Sequence, residues 1–505
     1  MLPLDPRVLQ ATLAAVREAM QVPISNAEIE AMKAGGWVQP GSPTSGLVAY
    51  DLEIPAKMLI PVLTPLRNSI PRVGGGYGTA HNWRAVTALN TAGVRIGTSE
   101  GNRNAVVTTS TANYTAAYKT IGLEDNVSFE ADLASNNFQD LKALAVQDLL
   151  WALMLGEEPM LLGGNADQAV GQCTTPTLVP SASGGTLATQ TLSVIVAGLT
   201  LDGFLNGSVA GGVQGSITRT NADSSSDTFG GGTGQLSVHQ TASITGPSGS
   251  CTGTTPRRAN AYAYAWFWGA SGAEVLGAIT TINSVLITAA ATGTQTATSL
   301  GGSDNSLNAL VADGILPYVE TAGSNAYVAA QATGTAGTGT GLTADTNGGI
   351  VEFNVALKSF WDSYRLAPEE IWVASQEMNN IKNKILLGSS SAAQRFVFNV
   401  NDQGAVTGGA SVRSYLNPFT MGGAVEIPIK IHPYLPAGTV LFRTMKLPYK
   451  LNNVPNVLQV RTRRDYYQLE WPLRSRKYEY GVYSDQLLQC YFPPSLGIIT
   501  NIGNA

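Results

Sequence analysis

The stretch from residue 136 to residue 159 constrains the fold more than any other part of the sequence. Its apolar side chains recur at three- and four-residue steps, which is the pattern of one face of an α-helix. They are Phe138, Leu141, Leu144, Ala145, Leu149, Ala152 and Leu155. Asn136 is a candidate N-cap with Gln139 three residues later, and Gly156 and Pro159 are candidate stops. Such a helix would extend roughly 27 Å.

The second half of this predicted helix, residues 149–155, is apolar on every side. A membrane span would need about 20 apolar residues, and Asp140, Lys142 and Asp148 interrupt this stretch. We therefore predict no membrane association. The helix should instead lie between a sheet and a second element, which is either another domain or another copy of the chain.

The composition favours β-structure with many turns. Only 13% of the residues are charged, whereas about 25% is typical, so copies of the chain would repel one another weakly. The chain contains 55 Gly, and its 44% hydrophobic content argues against disorder. A length of 505 residues suggests about three domains.

Charge is unevenly distributed. Residues 165–350 contain nine acidic and three basic residues, whereas residues 440–480 contain nine basic and three acidic ones. The two regions can therefore face different surroundings, although a solvated strand face explains a charge run equally simply.

Several further elements can be placed along the chain. Residues 1–47 form a predicted arm that ends in a Pro/Gly/Ser linker. Residues 72–111, which are rich in Gly, Thr, Asn and Val, predict a long two-stranded excursion. Since a hairpin of this kind is marginal alone in water, we expect it to lie on a neighbour.

The second half of the chain contains two kinds of pattern. Short alternating runs at 176–299 predict a β-sandwich of immunoglobulin-like type, with an aromatic core strand at 262–268. Helices are predicted at 350–364 and 376–386, with a buried strand at 371–374 between them. Long strands with aromatic and charged residues follow from 439 to 499.

The sequence offers no convincing active site. His81, His239 and His432 are not at metal-ligand spacings, and no GxSxG motif occurs. The glycine-rich run GGGYG at 74–78 predicts a hairpin root rather than a phosphate loop, because no Gly-Lys-Ser/Thr follows it. No cofactor or metal is predicted. Cys173 and Cys251 flank one β-rich segment, and whether they pair is left open.

The order of these elements resembles that of tailed-bacteriophage major capsid proteins with the HK97-type fold. Four motifs support the resemblance: DLLWALMLG at 148–156 with LGGN at 162–165, GIVE at 349–352, LAPEEIW at 366–372, and YGVYSDQLLQCYFP at 480–493. The resemblance covers roughly residues 48–170 and 300–500.

The resemblance implies an α+β fold with an inserted all-β domain. Its parts would be an N-terminal arm (1–47), the start of the P-domain (48–71), the E-loop (72–113), the P-domain with its spine helix (114–171), an immunoglobulin-like insertion (172–299), the A-domain (300–439) and the returning P-domain strands (440–505).

The function implied is that of a non-enzymatic major capsid protein. It would assemble in the bacterial cytoplasm into hexamers and pentamers of an icosahedral head that encloses double-stranded DNA. A separate scaffolding protein and a portal are the expected partners, and a decoration protein is left open. Candidate assembly residues are Phe138, Leu150, Trp151, Arg84, Arg95 and Arg103, and candidate DNA-facing or intersubunit residues are Arg461, Arg463 and Arg464.

Two alternative functions remain open from the sequence. One is an encapsulin-like nanocompartment shell, which the insertion and the long arm disfavour. The other is a surface adhesin that binds glycans, which residues 176–299 suggest but which leaves the long helix and the α/β half unexplained.

Overall fold

The computed structural model describes residues 59–90, 96–135, 140–345, 348–387 and 411–504. These residues contain both helices and several sheets, so the predicted α+β class is confirmed. The predicted N-terminal arm and the candidate assembly residues Phe138 and Arg95 lie outside the described residues.

The helices, in chain order, are α1 (Pro65–Ser69), α2 (Phe129–Ala134), α3 (Leu141–Gly163), α4 (Leu201–Leu205), α5 (Ile315–Glu320), α6 (Val351–Tyr364) and α7 (Ser375–Leu387). The strands are β1 (Arg72–Val73), β2 (Ala80–Asn90), β3 (Thr108–Ala117), β4 (Lys119–Ser128), β5 (Thr177–Ser181), β6 (Gln190–Leu199), β7 (Ser216–Thr220), β8 (Ser226–Gly230), β9 (Gln240–Ile244), β10 (Ser250–Thr254), β11 (Ala263–Gly269), β12 (Val275–Thr280), β13 (Ser284–Ile287), β14 (Tyr327–Ala330), β15 (Glu370–Val373), β16 (Ser414–Asn417), β17 (Val425–Ile431), β18 (Val440–Arg443), β19 (Leu458–Glu470), β20 (Lys477–Cys490) and β21 (Leu496–Thr500).

Two sheets organise the part of the fold outside the β-rich segment. A four-stranded sheet has the order β1-β19-β20-β4, and α3 packs on it where Leu149 and Leu153 meet Val482. A six-stranded mixed sheet has the order β14-β21-β18-β15-β17-β16, and α6 packs on it through Phe353 and Phe360. The predicted helices at 350–364 and 376–386, and the strand between them, are therefore confirmed.

The long helix α3 is present, but the predicted ends are wrong. It begins after Asp140, whose side chain accepts hydrogen bonds from the backbone N–H groups of Lys142 and Ala143, both at 3.1 Å. It runs through Pro159 and ends at Gly163. At 1.5 Å per residue it extends roughly 35 Å.

The helix continues past Pro159 because its last turns are held by packing. Proline removes one backbone hydrogen bond and usually kinks or ends a helix. Here Leu161 and Leu162 beyond the proline are buried in the largest apolar cluster of the described residues. Gly163 lies so close to Leu201 of α4 that a Cβ would sit 2.6 Å from the leucine Cβ. The helix therefore extends until it meets the β-rich segment.

Strands β2 and β3 form a two-stranded antiparallel ribbon, as the sequence predicts for residues 72–111. Ala80 pairs with Ala117 at one end, and Asn90 pairs with Thr108 at the other. Neither strand pairs with another strand in the described part of the chain. At about 3.4 Å per residue, the far end of the ribbon lies about 35 Å from its base.

The predicted sandwich at 176–299 is confirmed, but its immunoglobulin-like connectivity is not. One sheet has the order β13-β10-β5 and the other β12-β11-β6-β9, with a shared core. Since β7 and β8 form a separate hairpin, β9 is the third strand of the sandwich and β12 is the sixth. An immunoglobulin domain pairs its third strand with its sixth, whereas here β9 pairs with β6 and β12 pairs with β11. The periodicity of a sequence predicts where its strands lie. Which strands pair with each other depends on contacts between distant residues, about which periodicity carries no information.

The sandwich is joined to the α/β part of the chain by buried polar contacts. The backbone N–H of Asn283 donates to Asn501 Oδ1 at 2.8 Å. The backbone N–H of Asn260 donates to Glu320 Oε2 at 2.7 Å, and Arg257 pairs with the same carboxylate. These contacts fix the orientation of the sandwich within one compact unit.

Candidate assembly surfaces

Two adjacent carboxylates on α3, Glu157 and Glu158, lie inside the protein and are only 1% and 0% exposed. An ionised carboxylate is costly to bury unless it is paired and hydrogen-bonded. Consecutive helix residues point about 100° apart, so the two carboxylates meet different partners. We call this pair, with its partners, the carboxylate lock.

Glu158 binds the start of α1. It accepts hydrogen bonds from the backbone N–H groups of Leu66 at 2.7 Å and Arg67 at 2.8 Å, which are N–H groups that a helix cannot satisfy itself. His432 Nε2 lies 2.8 Å from the same carboxylate. Because the Tyr434 N–H donates to His432 Nδ1, the proton of a neutral ring lies on Nε2 and is donated to Glu158.

Glu157 binds side chains from both ends of the chain. It accepts from Arg67 Nε at 3.0 Å, Arg72 Nη1 at 2.5 Å and Gln486 Nε2 at 2.7 Å, and also from the Tyr466 hydroxyl. Burial, and then the charge of Glu157, raise the pKa of Tyr466 well above its usual range, so the phenol remains a donor. Four donors therefore satisfy one buried carboxylate.

The carboxylate lock fixes residues 64–73, the segment that leads into the ribbon. Arg443 holds the same segment from the other side, with Nη1 donating to Ser69 Oγ at 2.8 Å. Sequence reasoning missed the lock because it assigned residues 156–159 to the end of the helix. The available signal was a pair of adjacent acids set inside an otherwise apolar helix.

The base of the ribbon is held against the four-stranded sheet. The Gly76 N–H donates to the Thr462 carbonyl at 3.0 Å. Arg463 Nη1 donates to the Gly78 carbonyl at 2.9 Å, and Nη2 lies 3.4 Å from Asp485 Oδ2. The prediction that glycines 74–78 form the root of a hairpin is confirmed.

Replacing Gly76 by Ala should loosen this base. A Cβ there would overlap the Tyr118 hydroxyl and lie 2.9 Å from the Thr462 carbonyl oxygen, so the backbone must move. We expect amide hydrogen exchange in residues 76–90 to accelerate roughly tenfold or more. Gly74→Ala is the control, because its Cβ would meet nothing nearer than Thr462 Oγ1 at 3.9 Å. Equal exchange in both variants would contradict this account of the ribbon base.

The outer part of the ribbon exposes apolar side chains to solvent. Val86 is 63% exposed, Leu89 64% and Ile96 97%. Arg84 donates to Thr111 Oγ1 across the ribbon at 2.8 Å, and Arg103 is exposed in the loop beyond β2. A thin two-stranded ribbon with an exposed apolar surface is marginal alone. The roles of Arg84 and Arg103 in assembly stay predictions.

The middle of α3 is covered on one side only. Leu150 is half-buried and packs against the cluster of Leu149, Leu153 and Val482. Trp151 is also half-buried, but no apolar cluster of the described residues includes it. The apolar surface that the sequence predicts to need a second cover is therefore present, and Trp151 is its largest side chain.

The three candidate basic residues of β19 have three different environments. Arg463 is used within the chain at the ribbon base. Arg464 is exposed and lies over the Tyr467 ring, 4.2 Å from its centroid. Arg461 is half-buried and forms no ion pair or hydrogen bond within the described residues. Of these three residues, Arg461 and Arg464 have no carboxylate partner within the described residues, so their charge is available to a partner outside the chain.

The described residues contain little that suggests catalysis. No group of three or more His, Cys, Asp or Glu among them could hold a metal ion. Cys173 and Cys251 are both buried free thiols, so they do not pair. A cavity of about 130 Å³ lies at the end of α3 beside α4, and Asp202 is the one acid that lines it. In the described chain, no helix has the length and apolarity that crossing a membrane requires.

The aromatic strand β11 does not offer a glycan platform. Tyr264, Trp266 and Trp268 are buried in the shared core of the sandwich. A carbohydrate-binding surface needs aromatic faces that a sugar can reach. The prediction that this strand forms the sandwich core is therefore confirmed.

No family model and no curated protein matches the sequence. Among solved structures, the cyanophage A-1(L) capsid asymmetric unit is similar to this chain at 12% identity and a TM-score of 0.40, over 91% of this chain and 98% of that one. The capsid of a native GTA particle gives 9% identity and a TM-score of 0.39, over 90% and 96%. The holo-SrpI encapsulin complex from Synechococcus elongatus PCC 7942 gives 8% identity and a TM-score of 0.36, over 89% and 93%. At TM-scores this low, these likenesses do not assign the chain to a family.

Proposed function

We propose that this chain is a shell-forming structural protein, the major capsid protein of a tailed bacteriophage with the HK97-type architecture. The observation that carries the proposal is the ribbon of β2 and β3. Val86, Leu89 and Ile96 of the ribbon and its outer loop are exposed. The ribbon follows a segment of the chain that the carboxylate lock holds in place. A rigidly mounted apolar arm is suited to lie on another copy of the chain.

The parts of the chain correspond to the parts of such a shell protein. The ribbon takes the role of the E-loop, and α3 takes the role of the spine helix. Residues 300–439 supply the A-domain, residues 172–299 the insertion, and residues 440–505 the returning strands of the P-domain. Assembly is driven by apolar and polar burial over many copies, and no reaction is required. The virion capsid is then its location.

The test is to isolate particles of the full-length chain from infected cells and examine their contents. A phage capsid would protect double-stranded DNA from nuclease, whereas an encapsulin-like shell would hold protein cargo and no genome. Particles with protein cargo alone would move the assignment to the nanocompartment class. A monomeric chain in infected cells would overturn both assignments.

The shell should contain no covalent crosslinks between ribbons. Residues 72–112 include Arg72, Arg84, Arg95 and Arg103 but no Lys, and a guanidinium does not form the isopeptide bond that lysine can. Mature particles boiled in detergent should therefore run as a single band at the mass of the monomer. A ladder of multimers would contradict this prediction.

DNA contact, if it uses the exposed Arg464, should be non-specific and sensitive to salt. A separate scaffolding protein and a portal are proposed partners, and a decoration protein is left open. Correct assembly of the purified chain alone would count against the scaffolding protein.

A further inference from the structure

Arg461 is a half-buried cation that lacks a counter-charge in the described part of the chain. The half-buried Arg72 pairs with Glu157, the buried Arg443 lies 3.6 Å from Glu370, and the half-buried Arg258 donates to the Val170 carbonyl. A guanidinium partly removed from water is stabilised most by a carboxylate, which it can bind through two parallel hydrogen bonds. Arg461 is thus partly removed from water, as a paired arginine is, but no carboxylate of the described residues binds it.

One neighbour of Arg461 is His81, which lies on β2 near the base of the ribbon. His81 stacks on Trp83 with ring centroids 5.9 Å apart, and Trp83 makes a T-shaped contact with Tyr491, also with ring centroids 5.9 Å apart. Burial, and then the positive charge of Arg461, lower the pKa of His81. Arg461 Nε and Trp83 Nε1 are both buried without an acceptor. Arg461 and Trp83 therefore each present a buried N–H donor that has no acceptor in the described part of the chain.

The other end of the ribbon carries the complementary charge. Glu100 is the sole acidic residue between positions 72 and 118. It is exposed in the loop beyond β2, and it has no ion pair among the described residues. Since about 35 Å of ribbon separates the two ends, Glu100 cannot reach Arg461 of its own chain.

The geometry points to Glu100 of one copy binding Arg461 of a second copy. This inference rests on the proposed function, because it needs the ribbon to lie across a neighbouring copy. A contact between two different sites on identical chains is head-to-tail, and it closes into a ring when the rotation between copies permits. The partner is a carboxylate rather than a DNA phosphate, because Arg461 is half-buried and the ribbon that would lie on it carries one acidic residue, Glu100.

A double-mutant cycle on the full-length chain tests the pair. Glu100→Gln, Arg461→Gln and the double variant are compared with the wild type by the fraction of the chain that sediments as shells from infected cells, where the other head proteins are present. Each single variant should lower that fraction, by roughly tenfold for a contact repeated in every copy. The double variant should be no worse than either single variant, since the interaction is lost only once.

A charge swap provides the second arm. Arg461→Glu should abolish shells, and Arg461→Glu with Glu100→Arg should restore them. Arg474→Glu, at an exposed arginine in the turn that follows the same strand, is the matched control and should leave shells intact. Additive effects in the cycle, no restoration in the swap, or loss of packaged DNA without loss of shells would each overturn the pair. If the wild-type chain forms no shells under any condition, the proposed function itself fails.

Discussion

Replacing Trp151 by Asp should abolish shell formation while leaving the subunit folded. Trp151 is half-buried on α3 and belongs to no apolar cluster of the described residues, so we expect the subunit to fold without it. In a shell that covers this side of the helix, the new carboxylate would be buried without a partner, which costs about 3 kcal/mol or more per copy. Sedimentation and negative-stain microscopy measure the shells, and circular dichroism measures the fold.

Two further variants sharpen this result. Trp151→Phe keeps an apolar ring and should assemble as the wild type does. Leu150→Asp should also abolish shells. It should in addition lower the free energy of unfolding of the subunit by about 2 kcal/mol, because Leu150 packs against Leu149, Leu153 and Val482 of the same chain. Soluble, fully assembled shells from Trp151→Asp would show that this side of α3 is not an interface.

Replacing Glu157 by Ala should destabilise the subunit itself. The substitution leaves Arg67, Arg72 and Gln486 without their shared acceptor inside the fold. Breaking a buried ion pair by removing one partner costs about 3–5 kcal/mol. The free energy of unfolding of the unassembled subunit in urea measures this loss directly.

Asp148→Ala is the matched control for the lock. Asp148 lies on the same helix and is exposed, so its removal should change the free energy of unfolding by less than about 0.5 kcal/mol. If Glu157→Ala costs no more than Asp148→Ala, the lock does not hold the segment that carries the ribbon.

The sequence could predict elements whose cause is local. The three- and four-residue spacing of Leu141, Leu144 and Ala145 predicts α3. Alternating residues in a stretch with few large apolar side chains predict the ribbon. The positions of the sandwich strands follow from the same kind of pattern. In each case, residues a few positions apart determine the local backbone conformation.

The features that the sequence could not predict depend on distant residues. Pro159 is a stop by local rules, but Glu158 binds Leu66, 92 positions away, and Glu157 binds Gln486, 329 positions away. The pairing of β9 with β6 and of β12 with β11, which departs from the immunoglobulin order, has the same origin. Arg461, Arg463 and Arg464 form one basic run in the sequence, yet a strand with register shifts places them in three environments.

The most direct test of the account is microscopy of the wild-type, full-length chain purified from cells. We predict rings or closed shells in which a ribbon from each copy lies on a neighbouring copy, with α3 covered on both sides. A chain that remains monomeric in infected cells, where the other head proteins are present, would contradict the account.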